Sequence, residues 1–208
     1  MTASLDPSRP ADPDPQLQAE ELRERGVERC LGEPPIVLEI GFGRAELIMR
    51  LAEESPGQGF LGIEASRKRI GKAARRIARA ALRNVRIVHS SAEYVLERVL
   101  PPGCVGECWI NCPDPWPKKR HFRRRLIQPT LLRDLVRVLT PAGLVHISTD
   151  HRGYADWIAG ALLEVPELAN LHAPEPWSAR RPDRCETAYE AEWREEGRPI
   201  VYFDYRKR

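Results

Sequence analysis

From about residue 36 onward, short apolar runs alternate with longer stretches in which apolar positions recur every three to four residues. "PIVLEI" is a β-branched, apolar run that ends beside an acid, as expected of a buried parallel strand. "GFG" interrupts it, and "RAELIMRLAEE" has helical spacing, with Leu47, Ile48 and Leu51 on one face. "GFLGIEA" reads as a second strand, and "SRKRIGKAARRIARAAL" as a helix whose inner stripe is Ile70, Ala73, Ala74, Ile77 and Ala81. "VRIVHS", "ECWINC" and "GLVHIS" supply three more strands. "AEYVLERVL", "LIQPTLLRDLVRVL" and "RGYADWIAGALLEV" are helical. Beyond Pro166 the texture changes: residues 170–186 read as a proline-rich loop, "TAYEAEWREEG" as a helix and "PIVYFDY" as a closing antiparallel strand. The alternation implies an α/β fold, with a doubly wound and mostly parallel sheet. Residues 1–15, with four prolines and little apolar content, read as a disordered tail. "QLQAEELRERGVERCL" reads as a mixed-charge helix, and residues 16–208 as one domain.

Composition changes this picture through where the charge lies. With 42% hydrophobic and 30% charged residues the chain reads as soluble and globular. No apolar run is long enough to span a bilayer, and no basic-then-apolar leader opens the sequence. Five cysteines, an odd number without a scaffold spacing, fit a reducing cytoplasm. The net charge is only +3, yet Ala65–Ala92 holds nine cations and no acid, and Lys118–Arg125 six cations in eight positions. Two basic clusters in a nearly neutral chain point to a polyanionic partner; the bland alternative is a solvated helix face and a basic loop.

In a doubly wound sheet a ligand binds beyond the carboxyl ends of the strands. Here the first strand runs into "EIGFGRAE", where Gly41 and Gly43 allow a tight turn and close approach of a ligand. A dinucleotide site is one reading, but Glu46 stands where that fingerprint needs a small residue, and Glu39 with Glu46 would repel a pyrophosphate. S-adenosylmethionine carries a sulfonium and an ammonium instead, so Glu39 helps, and Glu64 at the end of the second strand can accept from both ribose hydroxyls. The acids and glycines together favour S-adenosylmethionine.

"CPDPWPKKRHFRRR" follows the fourth strand, placing Asp114 between two prolines that stiffen the turn. Pro-Asp-Pro is also simply a good turn. "DPWP" departs from the Asp/Asn-Pro-Pro-aromatic pattern of amino-directed methyltransferases, which argues against attack by an exocyclic amine. Cys104, Cys108 and Cys112 recur every fourth residue but read as small buried hydrophobes, with Cys108 and Cys112 on one strand face. The five histidines show no zinc spacing, so no metal is expected. Trp177 and Trp193 read as packing residues. Asp150 has the position of a helix N-cap, and Thr187-x-x-Glu190 the spacing of a capping box.

Taken in order, "EIGFG", "GIEA", "PDPWPKKRHFRRR", "TDHRGYA" and "TAYE" resemble the bacterial tRNA (guanine-46-N(7))-methyltransferase family, over about Ile36 to Tyr205. The resemblance implies a Rossmann-like class I methyltransferase that moves a methyl group from S-adenosylmethionine to the N7 of guanine 46 in the tRNA variable loop. By that resemblance Glu39, Glu64 and Asp114 bind the methyl donor and Asp114 is also catalytic. Lys118, Asp150, Thr187, Tyr189 and Glu190 contact the guanosine, and Lys119, Arg120, His121, Arg123, Arg124 and Arg125 contact tRNA. Ser91 stands near the adenine where similar proteins have an acid or amide, and its hydroxyl is expected to make one hydrogen bond there. Ala45 replaces a third glycine, and Asn111–Cys112 an apolar and aromatic pair. The alternatives are a methyltransferase of this fold acting on another RNA or base, and a non-catalytic RNA-binding module.

Overall fold

A computed structural model describes residues 14–180 and 186–208, with Ala188 and Tyr189 described in backbone only. The tail expected over residues 1–15 therefore lies outside the described residues except for Asp14 and Pro15. The strands are β1 (Gln16–Leu17), β2 (Ile36–Ile40), β3 (Phe60–Glu64), β4 (Val85–His89), β5 (Val105–Asn111), β6 (Leu139–Thr149), β7 (Leu168–Asn170) and β8 (Val201–Lys207). They form one sheet in the order β1-β4-β3-β2-β5-β6-β8-β7. β1 to β6 pair in parallel, and β8 runs antiparallel to both β6 and β7. The expected α/β sheet with an antiparallel C-terminal strand is thus observed.

The helices are α1 (Ala19–Arg25), α2 (Val27–Leu31), α3 (Glu46–Glu54), α4 (Arg67–Arg79), α5 (Ala92–Tyr94), α6 (Pro129–Val138), α7 (Arg152–Leu163) and α8 (Ala188–Glu195). Alternation along β2 divides its side chains between two cores. Ile36, Leu38 and Ile40 enter the larger, with residues of α1, α2, α6 and α7. Val37 packs against the smaller, built on α3 and α4 through Ile48, Ala52, Ile70, Ala73 and Ile77.

Several elements differ from expectation for local reasons. Gln16 and Leu17 pair with β4 instead of opening a helix, and Gly26, with φ +80°, splits the helical stretch that follows. Ala81 lies past the end of α4, exposed and with φ +52°, so it leaves the inner stripe. The sixth helix starts only at Pro129, whose missing N–H is harmless in a first turn. β7 is too short for periodicity to reveal. Cys112 is not on the strand face of Cys108: it follows β5 with φ +47°. Cys104 and Cys108 are buried free thiols, and burial pushes the Cys104 pKa up to about 11.

Across β5, β6 and β8, Trp109 pairs with His146 and His146 with Asp204. The indole stacks on the imidazole at 4.0 Å, His146 Nδ1 donates to Asp204 (2.5 Å), and Glu107 lies 3.2 Å from Nε2. His172 Nε2 donates to the second oxygen of Asp204 (2.6 Å). Burial disfavours the imidazolium, but the Asp204 and Glu107 carboxylates outweigh it and the His146 pKa is raised. Burial likewise pushes Asp204 up, but His146 and His172 prevail and lower it. A raised histidine stabilises below its unfolded pKa and loses that contribution as pH rises through the folded value; a lowered aspartate loses its share as pH falls. Asp204→Asn should therefore depress Tm most between about pH 4 and pH 6.5, the ordinary values of the two groups. The gap should narrow above neutrality, and a gap constant from pH 5 to pH 9 would contradict the coupling.

Candidate active site

The glycine turn is held from both sides. Gly41 and Gly43 adopt φ +73° and +54°, and the Gly41 N–H donates to Ile63 O on β3 (2.7 Å). Ala45, at φ +59°, caps α3 in the left-handed region that a third glycine would enter without strain. Glu39 is buried and accepts from the Ile48 N–H in the first turn of α3 (3.1 Å). Glu64, also buried, accepts from Gly43 N–H (3.1 Å) and Ser66 N–H (2.9 Å), with Arg69 at 3.5 Å. Both carboxylates are thus oriented by backbone donors, and Glu64 ties the turn after β2 to the end of β3.

These groups face one cavity of about 390 Å³ at the carboxyl ends of the strands. Glu39, Gly41, Gly43, Glu64, Ser91 and Asp114 all line it, as do Thr187 and Arg124. Ser91 also caps α5, accepting from Tyr94 N–H (3.3 Å). Asp114 stands exposed at the rim after β5, between half-buried Pro113 and Pro115. Cys112 and Trp116, both at positive φ, flank this turn and line the cavity. The Cys112 thiol lies 3.5 Å from the Ser148 hydroxyl, which donates to Asn111 Oδ1 (3.2 Å). Trp193 of α8 is a wall of the cavity and not simply packing. Its position three residues after Glu190, on the helix opened by Thr187, was the available signal.

The other predicted contacts divide. Lys119–Arg124 is a 3₁₀ helix that exposes Lys119, Arg120, Arg123 and Arg124, with Lys118 exposed before it. His121 packs edge-on to Trp116 and Arg124 stacks over the same ring, at 5.6 and 5.1 Å. Arg125 turns inward, against the expectation that it contacts tRNA. Only 4% exposed, its guanidinium lies 3.7 Å from the Phe122 ring centre and 4.9 Å from that of Trp157, and donates to Pro115 O (2.9 Å). Asp150 is outside the cavity wall, 3.6 Å from Arg198, and the α7 cap is His151, whose ring accepts from Tyr154 N–H. Glu190 is buried: its carboxylate accepts from Thr187 N–H and hydroxyl (both 2.9 Å) and from Tyr202 (3.2 Å), completing a capping box. The Tyr189 side chain lies outside the described residues. Among the described residues no group of His, Cys, Asp or Glu is placed to hold a metal, and no helix is long and apolar enough to cross a membrane.

A doubly wound sheet, a positive-φ glycine turn and acids at the tips of adjacent strands around one cavity define a Rossmann-like methyltransferase. The fold is shared by the aminoglycoside resistance methyltransferase NpmB1, at TM-score 0.58 and 17% identity over 93% of this chain and 95% of that one. Residues 33–203 match the methyltransferase family Methyltransf_4. The tRNA (guanine-N(7)-)-methyltransferase of Alkalilimnicola ehrlichii is 36% identical over 88% of this chain and 77% of its own length. That of Leifsonia xyli subsp. xyli is 37% identical over 83% and 76%. The chain belongs to the tRNA (guanine-N(7)-)-methyltransferase family.

Proposed function

We propose that the protein methylates the N7 of guanine 46 in the variable loop of tRNA, using S-adenosylmethionine and acting as a single domain over residues 16–208. The observation that carries this reading is Asp114, stiffened between two prolines and opening onto the same cavity as Glu39 and Glu64, beside a row of exposed cations. The cavity has the size of a small-molecule site. Its donor set suits S-adenosylmethionine: Glu64 for the ribose diol, Glu39 for the cationic amino-acid end, Ser91 near the adenine, and open space where a Gly41 side chain would stand. When bound, that cofactor supplies an electrophilic methyl group.

Guanine N7 carries a free lone pair and needs no deprotonation to attack. Asp114 therefore acts by orienting the base and by stabilising the positive charge that develops on the purine. Arg124 and Trp116 form the wall on the RNA side, and Lys119, Arg120 and Arg123 hold phosphates. Thr187 faces the cavity, and Glu190 acts through the Thr187 hydroxyl that it receives. The guanosine contacts of Lys118, Asp150 and Tyr189 rest on the family resemblance.

Labelled methyl should pass from S-adenosylmethionine to unmodified tRNA, with borohydride–aniline cleavage mapping to guanine 46. A tRNA with that guanine replaced should take up no label. Label persisting on the control would keep the methyltransferase and overturn the target; saturable tRNA binding with no transfer would leave a binding module.

A further inference from the structure

Helix α4 carries charge that the cavity does not use. Seven of its thirteen residues are cations and none is an acid. Two of them are anchored at the cavity rim: Arg69 lies 3.5 Å from Glu64, and Arg76 donates to the Arg44 carbonyl. Lys68, Lys72, Arg75 and Arg79 are exposed, and among the described residues no acid pairs with them. Their spacing puts all four on one line down the helix, about 17 Å long. Ile70, Ala73 and Ile77 bury the opposite face.

Such a line is unfavourable in isolation. Like charges four residues apart repel, and Arg67, Lys68 and Arg69 occupy the first turn, where the helix dipole disfavours cations. With no described acid to relieve it, the arrangement calls for an external anion. A membrane-surface helix would expose large apolar residues beside the cations, and a protein-docking face an aromatic anchor; the large apolar residues of α4, Ile70 and Ile77, are inside, and it has no aromatic. A polyphosphate backbone needs only the cations.

We infer that Lys68, Lys72, Arg75 and Arg79 bind the phosphate backbone of the tRNA substrate at a segment remote from the methylated base. The inference rests on the tRNA reading above. α4 begins at the carboxyl end of β3, two strands and about 10 Å from the end of β5 that carries Asp114, and runs back alongside the sheet. Arg69 of α4, Arg44 and Arg124 of the 3₁₀ helix all line the cavity, so cations stand on both sides of it. Lys68 lies near the cavity, but the line ends at Arg79 about 17 Å further back along the sheet, where a second backbone segment of a folded RNA passes and a trinucleotide held at Asp114 does not reach.

The test is a variant with Lys68, Lys72, Arg75 and Arg79 all changed to Gln, measured by direct tRNA binding and by turnover. KM and Kd for tRNA should rise at least about tenfold at physiological salt, and the slope of log K against log salt should flatten by about 3, at 0.7–0.9 per lost phosphate contact. The kcat, the affinity for S-adenosylmethionine and binding of a short guanine-containing oligonucleotide should stay within twofold. Tm should hold or rise, because repulsion along α4 is relieved. Unchanged tRNA affinity and slope would overturn the assignment, as would a fall in kcat at unchanged KM. A wild-type protein that binds tRNA but methylates none would sink the methylation reading instead, and the salt slopes would still decide the role of α4.

Discussion

Asp114→Asn is expected to lower kcat for methyl transfer by about 10²- to 10³-fold, the usual loss when one oriented charge-stabilising group is removed. The substitution keeps the shape and one acceptor oxygen but deletes the charge, so it separates electrostatic stabilisation from orientation. Pro113 and Pro115 restrict the backbone on both sides, and the turn is held at Pro115 O by Arg125, so the variant should fold with unchanged Tm. Asp114→Ala removes orientation as well and should be slower again. Single-turnover transfer at saturating donor and tRNA is the right measurement, because the rim position of Asp114 lets it affect binding as well as chemistry. An Asn variant within threefold of wild type, with Ala strongly impaired, would reassign Asp114 from charge stabilisation to hydrogen-bonding alone.

The half of the cavity proposed to hold S-adenosylmethionine was legible in the sequence as a cluster because its signals are local. An acid at the end of a buried apolar run has little structural reason to be there, and the sheet carries Glu39 and Glu64 to adjacent strand tips. The half proposed to face the RNA was less legible because it is assembled from distant pieces. Along the chain Arg123, Arg124 and Arg125 are equivalent; which one turns inward depends on Tyr154 and Trp157 of α7, some thirty residues on. Trp193 becomes a cavity wall only because α8, which follows β7 and precedes β8 in the chain, is brought to the cavity by the fold. At Thr187 and Glu190 the capping-box spacing and the family resemblance gave different roles, and the structure supplies the link: the cap is made, and its threonine faces the cavity. Ala45 and Ala81 mark the limit of periodicity, since a residue at positive φ in a helix-flanking turn has the same apolar character as one in a stripe.

Arg125→Met is expected to weaken both stability and turnover while sparing tRNA affinity, the opposite of what its place in a basic run implies. The buried guanidinium lies against Phe122, Tyr154 and Trp157 at 3.7, 5.1 and 4.9 Å, and its Nε–H is given to Pro115 O. Losing a charge-assisted hydrogen bond and a desolvated cation–π contact costs about 2–4 kcal/mol. For a chain of this size that is a fall in Tm of about 5–15 °C. With Pro115 O unpartnered, the Asp114 turn loosens and kcat should fall about 10- to 100-fold, since small misplacements of a reacting group are expensive. Arg125→Lys should recover only part of this, because an ammonium cannot lie flat among the rings and donate in the same direction. Arg123, exposed on the 3₁₀ helix, is the control: Arg123→Ala should leave Tm and kcat alone, raise KM for tRNA and flatten the salt slope by about 0.7–0.9. If Arg125→Met instead flattened the salt slope at unchanged Tm, the guanidinium would belong to the RNA-facing row. If the two variants separate as expected, the basic run contains two functions, phosphate binding outside and support of the Asp114 turn inside.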